Sequence, residues 1–210
     1  LELLTLTRAV GTDMSKFFIT QNVEYPILTD DGSLIKIGTH FNTGFYRIEN
    51  YDDPLSGSQK SKYYKGKFYP QMTFELSKPL YKRNKVSKQI FEPKLLLVAG
   101  ANNGNDMHIP NEDSRSYDLD FSDLFNRNRL SGNDRLDNGS RFDYGFSYLN
   151  QNIKTSSVTN ISIGHSYRLR KDVYQPSNSG SNNHFSNIVS FIKIKPTEGF
   201  NVKSEFSIHS

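Results

Sequence analysis

The run Leu34-Ile35-Lys36-Ile37-Gly38-Thr39-His40-Phe41-Asn42-Thr43-Gly44-Phe45-Tyr46 changes side with every residue. Ile35, Ile37, Thr39, Phe41, Thr43 and Phe45 fall on one face, and Lys36, Gly38, His40, Asn42 and Gly44 on the other. A period of two belongs to a β-strand, whose successive side chains point to opposite sides of a sheet. The pattern returns between Phe68 and Leu80, where Phe68, Pro70, Met72, Phe74 and Leu76 oppose Tyr69, Gln71, Thr73, Glu75 and Ser77. It returns again where Phe142, Tyr144, Phe146 and Tyr148 oppose Arg141, Asp143, Gly145 and Ser147, and from Phe200 to His209. Residues 88–101 and 185–196 carry apolar side chains on both faces. Pro70 and Pro93 lack the N–H that a central strand donates, so each predicts a bulge, kink or strand end.

Nine strands are expected, near residues 1–8, 16–28, 33–49, 66–81, 88–101, 139–150, 154–171, 185–196 and 199–210. Short turns at Thr29–Gly32, Lys82–Ser87, Gln151–Ile153 and Thr197-Glu198 alternate with long loops at Asn50–Lys65, Ala101–Asn138 and Asp172–His184, and Ala9–Ser15 is intermediate. Turns on one side and long loops on the other are the habit of outer-membrane barrels, whereas a soluble β-sandwich needs the alternation but not that asymmetry. Several strands exceed the ~9–11 residues that cross a hydrocarbon core. Ser177–Asn183 reads as an exposed loop tip.

Composition agrees with that class. The 210 residues hold 12 Tyr, 15 Phe and no Trp, with 35% hydrophobic residues and a mean hydropathy of −0.64. No apolar run approaches the ~20 residues of a membrane helix, while a barrel tolerates low hydropathy because only alternate residues face lipid. The net charge of +4 suits phosphate-bearing ligands and equally suits solvated loops. The absence of cysteine removes thiolate metal sites. The five histidines are scattered without metal-ligand spacing, and no Gly-x-Ser-x-Gly elbow is present, so no cofactor and no catalytic group is expected. Asn102-Asn103-Gly104-Asn105-Asp106 resembles half a calcium loop without its closing acid, and reads as a polar turn. Lys78, Lys82, Arg83, Lys85 and Lys88 cluster at a short turn, where they blunt a strand end or guide an anionic glycolipid.

The longest loop runs into Ile109–Gly145, IPNEDSRSYDLDFSDLFNRNRLSGNDRLDNGSRFDYG. Asp113, Asp118, Asp120, Asp123, Asp134, Asp137 and Asp143 are interleaved there with Arg115, Arg127, Arg129, Arg135 and Arg141. Such charges are either solvated or paired in a network, since the guanidinium fork binds carboxylates bidentately. The order Asn111-Glu112-Asp113-Ser114, Leu124-Phe125, Asn128-Arg129, Ser131-Gly132, Asp134-Arg135, Gly139, Arg141 and Tyr144-Gly145 resembles the signature of the LptD family. Leu130 departs from it, standing where an aromatic residue is expected. The opening Ile-Pro-Asn-Glu-Asp-Ser is similar to the alphaproteobacterial form.

The resemblance implies an all-β fold, antiparallel hairpins forming part of a large transmembrane outer-membrane barrel. It also implies a function without catalysis, the transport of lipopolysaccharide and its insertion into the outer leaflet. Residues 1–210 then read as a partial C-terminal barrel domain, without the N-terminal jellyroll or a signal peptide. The implied partners are lipopolysaccharide, an LptE-like lipoprotein plug, an LptA-like periplasmic bridge and outer-membrane lipids, with no nucleic acid. Fixed glycines beside the charges favour the network, so residues 101–138 are expected to fold back over or into the lumen, with Arg129 and Arg135 paired to carboxylates. Ile35, Ile37, Phe41, Phe45, Phe74, Phe142, Phe146 and Phe206 should face lipid, and Lys36, His40, Gln71, Glu75, Arg141 and Lys203 the lumen. The rival readings are a passive porin or substrate-specific channel, and a soluble adhesive β-domain.

Overall fold

The computed structural model describes residues 1–52, 59–114, 118–172, 175, 179–197 and 199–209. Arg115, Ser177, Asn178, Glu198 and the centre of the 50–65 loop lie outside the described residues. The elements are β1 (Glu2–Leu6), β2 (Asp13–Leu28), β3 (Leu34–Asp52), β4 (Gln59–Ser77), β5 (Leu80–Arg83), β6 (Ser87–Gly100), α1 (Phe121–Leu124), β7 (Arg141–Asn152), β8 (Val158–Arg168), β9 (Ile188–Thr197) and β10 (Phe200–Ile208). They form one antiparallel sheet in chain order, with β5 beside β6 and off the main path. Among the described residues no helix is long and apolar enough to cross a membrane, which bears only on helical spans.

Several boundaries differ from the sequence reading. Ten strands replace nine because β4 and β5 are separate. The β4–β6 ladder ends at Ser77↔Lys94 and resumes between β5 and β6 at Leu80↔Phe91 in the same register. Pro79 and Pro93 sit in that gap, where neither can supply an N–H to the ladder. Pro70 lies one residue before the other end of the β4–β6 ladder, at Gln71↔Gly100. Neither flagged proline ends its own strand, and each stays in register with its other neighbour, Pro70 with Phe41 and Pro93 with Phe146. The connection expected at 50–65 is shorter, because β3 and β4 pair as far as Asp52↔Gln59. The edge-on rings of Tyr51 and Tyr63, 5.3 Å apart, reinforce that extension. The strand expected over 154–171 is trimmed to Val158–Arg168, and its neighbouring loop widens accordingly.

The two faces of the sheet are opposite in character. Register puts Ile35, Ile37, Phe41 and Phe45 of β3 beside Leu76, Phe74, Pro70 and Gly66 of β4. This outer face stays open, with Phe45 59% and Met72 58% exposed. The inner face carries Lys16, His40, Asn42, Gln71 and Arg141, all buried. Exposed aromatics over buried charge invert the arrangement of a water-soluble domain. Continuous pairing from β7 through β10 also puts Lys203 on the inner face, opposite Lys193.

Candidate functional site

The described residues of the connection between β6 and β7, within 101–140, lie on the inner face. This segment is pinned to the sheet at four places. Each uses side chains that alternation had already turned inward.

The first anchor is Lys16 of β2, whose side chain has no solvent exposure. Its Nζ meets Glu2 at 2.8 Å, Asp134 at 3.1 Å, and Asp113. Asp113 also accepts the Ser114 hydroxyl at 2.8 Å and the Asn133 N–H at 2.9 Å. Lys67 of β4 donates to the carbonyls of Asn133 (3.2 Å) and Asp134 (3.1 Å). Gly132 permits this fold-back because its φ is +75°, and a Cβ there would stand 2.6 Å from the Asp113 carbonyl oxygen. Burial alone would raise the Asp113 carboxyl, yet the Lys16 ammonium and the surrounding N–H donors bring it down to about 2. Asp134 goes the other way, raised by burial and by the neighbouring Asp113 charge. Around this anchor Glu112 pairs with Arg8 at 2.6 Å. Asn111 closes a turn onto Ser114, donating to its carbonyl and accepting its N–H.

Asp137 is the second anchor and is itself fully enclosed. It takes Arg129 of the loop at 2.7 Å, Arg141 of β7 at 3.0 Å and Arg168 of β8 at 2.5 Å. Its N–H donates to Asn128 at 2.8 Å. Arg141 continues to Asp143 at 2.9 Å and to the carbonyls of Asn126 and Arg127. Burial opposes ionisation of Asp137, but three guanidiniums outweigh it and hold the carboxyl far below its ordinary range. Asp143 and Asp172 lie 3.7 and 4.0 Å from Arg129 and Arg168, so three cations face three carboxylates.

At the third anchor Gly139, with φ +85°, donates to the Ala101 carbonyl at 3.0 Å and to the Tyr69 hydroxyl at 2.9 Å. A Cβ at this position would come within 2.3 Å of Asn102. The fourth anchor is apolar. Asp120 caps α1 by accepting the Asp123 N–H at 2.8 Å. The turn drives Leu124 against Leu119 and Val189 and onto Gly164, whose missing Cβ would lie 2.2 Å from the Leu124 side chain. Gly145 pairs with Gly164 across β7 and β8 and is as tightly enclosed.

The expected fold-back and the Arg129 pairing are therefore present in the structure. Arg135 donates to the carbonyls of Asp106 (2.9 Å) and Ile109 (2.8 Å). Tyr144 is on the outer face, its hydroxyl 2.9 Å from His165, apart from the inner cluster. Phe125 stands edge-on to Phe121 at 5.8 Å. In the calcium-like turn, Asn105 exchanges two hydrogen bonds with the Leu136 backbone, and Asp106 pairs with Lys65. Lys78, of the basic cluster, pairs with Asp31 in the adjacent turn.

Sequence reading missed the wall side of this site: Lys16, Lys67, Tyr69 and Arg168. Lys67 and Tyr69 carried one signal, a cation and a phenol on the β4 face that also holds Gln71, whereas Lys16 and Arg168 carried none. The model of the family described as LptD, LPS transport system D, matches residues 2–207. No curated protein matches the chain.

Proposed function

Because the chain belongs to the LptD family of the lipopolysaccharide transport system, we propose that it forms barrel wall through which lipopolysaccharide is inserted into the outer leaflet. The family serves lipopolysaccharide transport and assembly at the outer membrane. On this reading the outer face meets lipid and the inner face lines the lumen. An LptE-like lipoprotein fills the rest of that lumen, and an LptA-like bridge delivers cargo from the periplasm. The loop carries no reaction: its buried carboxylates hold one conformation through Arg129 and through Lys16, Arg141 and Arg168 of the wall.

The observation that carries this reading is the pinned loop. A passive pore keeps a water-filled passage beside any inward loop, whereas here the described residues of 101–140 are fastened to the inner face through anchors from β2, β4, β7, β8 and β9. Depletion of the intact protein should strand lipopolysaccharide short of the cell surface. The assay is surface labelling of lipopolysaccharide; undiminished labelling with altered small-solute uptake would replace export by the channel reading.

A further inference from the structure

Beneath the loop the inner face leaves a cavity of about 200 Å³. Asn22, Glu24, Lys36 and Glu75 line it from the wall, and Phe125, Asn126 and Arg127 line it from the loop. His40 and Thr73 also border it but are spent on local bonds, His40 reaching Asn22 and Thr73 at 2.9 Å each.

The charges of this cavity balance. Lys36 lies 2.8 Å from Glu75 and 3.8 Å from Glu24, and Arg127 offsets the second carboxylate. A free phosphate entering here would meet two carboxylates, so the cavity is poorly suited to a compact anion. Arg127 donates to Gln71 at 2.5 Å, and its remaining donors have no partner among the described residues. Carboxylate acceptors, amide and guanidinium donors, and one aromatic ring are therefore gathered around a space fit for a single ring-sized guest. Pockets of this kind orient a ligand through a few placed polar groups against an apolar wall.

We propose that this cavity seats one sugar ring of the glycolipid's saccharide, its hydroxyls on Glu24, Glu75, Asn22 and Arg127 and its C–H face on Phe125. The proposal rests on the export reading and adds to it a residue-level contact for the carbohydrate. Phe125 packs with Leu124 against the Leu119 and Val189 cluster and also borders the cavity, so its ring serves both the loop's seating and the proposed contact.

The test uses the intact protein in detergent with lipid-free core oligosaccharide as the probe, read by saturation-transfer NMR. Sugar-ring protons should receive magnetisation. The signal should fall about tenfold in Phe125→Ala, and as far in Glu24→Trp, which fills the cavity from a wall position outside the loop's anchors. Equimolar inorganic phosphate should leave the signal unchanged. Absence of transfer, equal transfer in Glu24→Trp that retains folded-barrel mobility on an unheated gel, or displacement by phosphate would each overturn the proposal. If Phe125→Ala fails to fold, Glu24→Trp decides alone. Binding present and lost in Glu24→Trp, with surface lipopolysaccharide unchanged on depletion, would remove the export reading and leave the saccharide seat. Export intact without binding would remove the seat only.

Discussion

Asp113 and Asp134 clasp each other's backbone. Asp113 Oδ1 accepts the N–H of Asp134 at 2.9 Å, and Asp134 Oδ2 accepts the N–H of Asp113 at 3.2 Å. The Asp134 carboxylate also takes the Glu112 N–H at 2.9 Å. Two stretches of loop twenty residues apart are thereby tied by side chains that would otherwise repel, and Lys16 sits between them to balance the charge. Replacing Asp134 with Ala frees two backbone donors and removes one partner of a fully buried ammonium. We expect a loss of ~3–5 kcal/mol in urea unfolding of the refolded barrel. Asp113→Asn, which keeps the shape, should cost less, ~1–3 kcal/mol.

Acid should loosen this clasp within a definite window. Asp113 has an ordinary pKa of 3.8 and a folded value of about 2. A depressed carboxyl stabilises the fold fully above 3.8, and that contribution is lost as pH falls through about 2. Asp134, raised, acts in the opposite sense, its contribution weakening as pH rises. The protection of the Asn133 and Asp134 amides relative to intrinsic exchange, followed from pH 5 downwards, should fall between about 4 and 2. In Asp113→Asn that step should disappear.

Asp137→Ala should be the most damaging change in the loop. It leaves three buried guanidiniums facing two carboxylates, so the loss should exceed the ~3–5 kcal/mol of breaking a single buried pair. The measurement is the fraction of folded, heat-modifiable protein recovered after refolding. Recovery equal to that of the unaltered chain would show the network to be dispensable.

The two faces should differ in tolerance of charge. Met72→Arg, on the open apolar face, should cost ~2–4 kcal/mol in a bilayer if it lies near the midplane. Ser207→Arg, on the inner face of β10, should cost little. Equal penalties in refolding titrations would dissolve the lipid and lumen assignment.

Alternation made the faces of β3, β4 and β7 legible, because a period of two depends on nothing beyond the strand itself. The loop's return was legible in part, since Gly132 and Gly139 beside Asp–Arg pairs mark tight turns with charges to satisfy. Lys16 and Arg168 were not legible as anchors, because their partners lie far along the chain and no local pattern names them. The helical turn Phe121–Leu124 is too short to generate a helical period. The break at Pro79 was not legible because it depends on Pro93 of the neighbouring strand falling in the same gap, a pairing that only the register reveals. Apolar residues on both faces of 88–101 and 185–196 become intelligible once Leu96 and Val189 are seen to be buried on the inner face.

Lys16 reaches Asp134 across 118 positions of sequence, and Arg168 reaches back 31 positions to Asp137. Contacts of such span form after the local hairpins, because the intervening chain must first be ordered. The loop thus has nowhere to settle until strands on both sides of it stand in register. Its seating is a late event in the birth of the wall, and a seated loop reports that the strands before and after it have already found their neighbours.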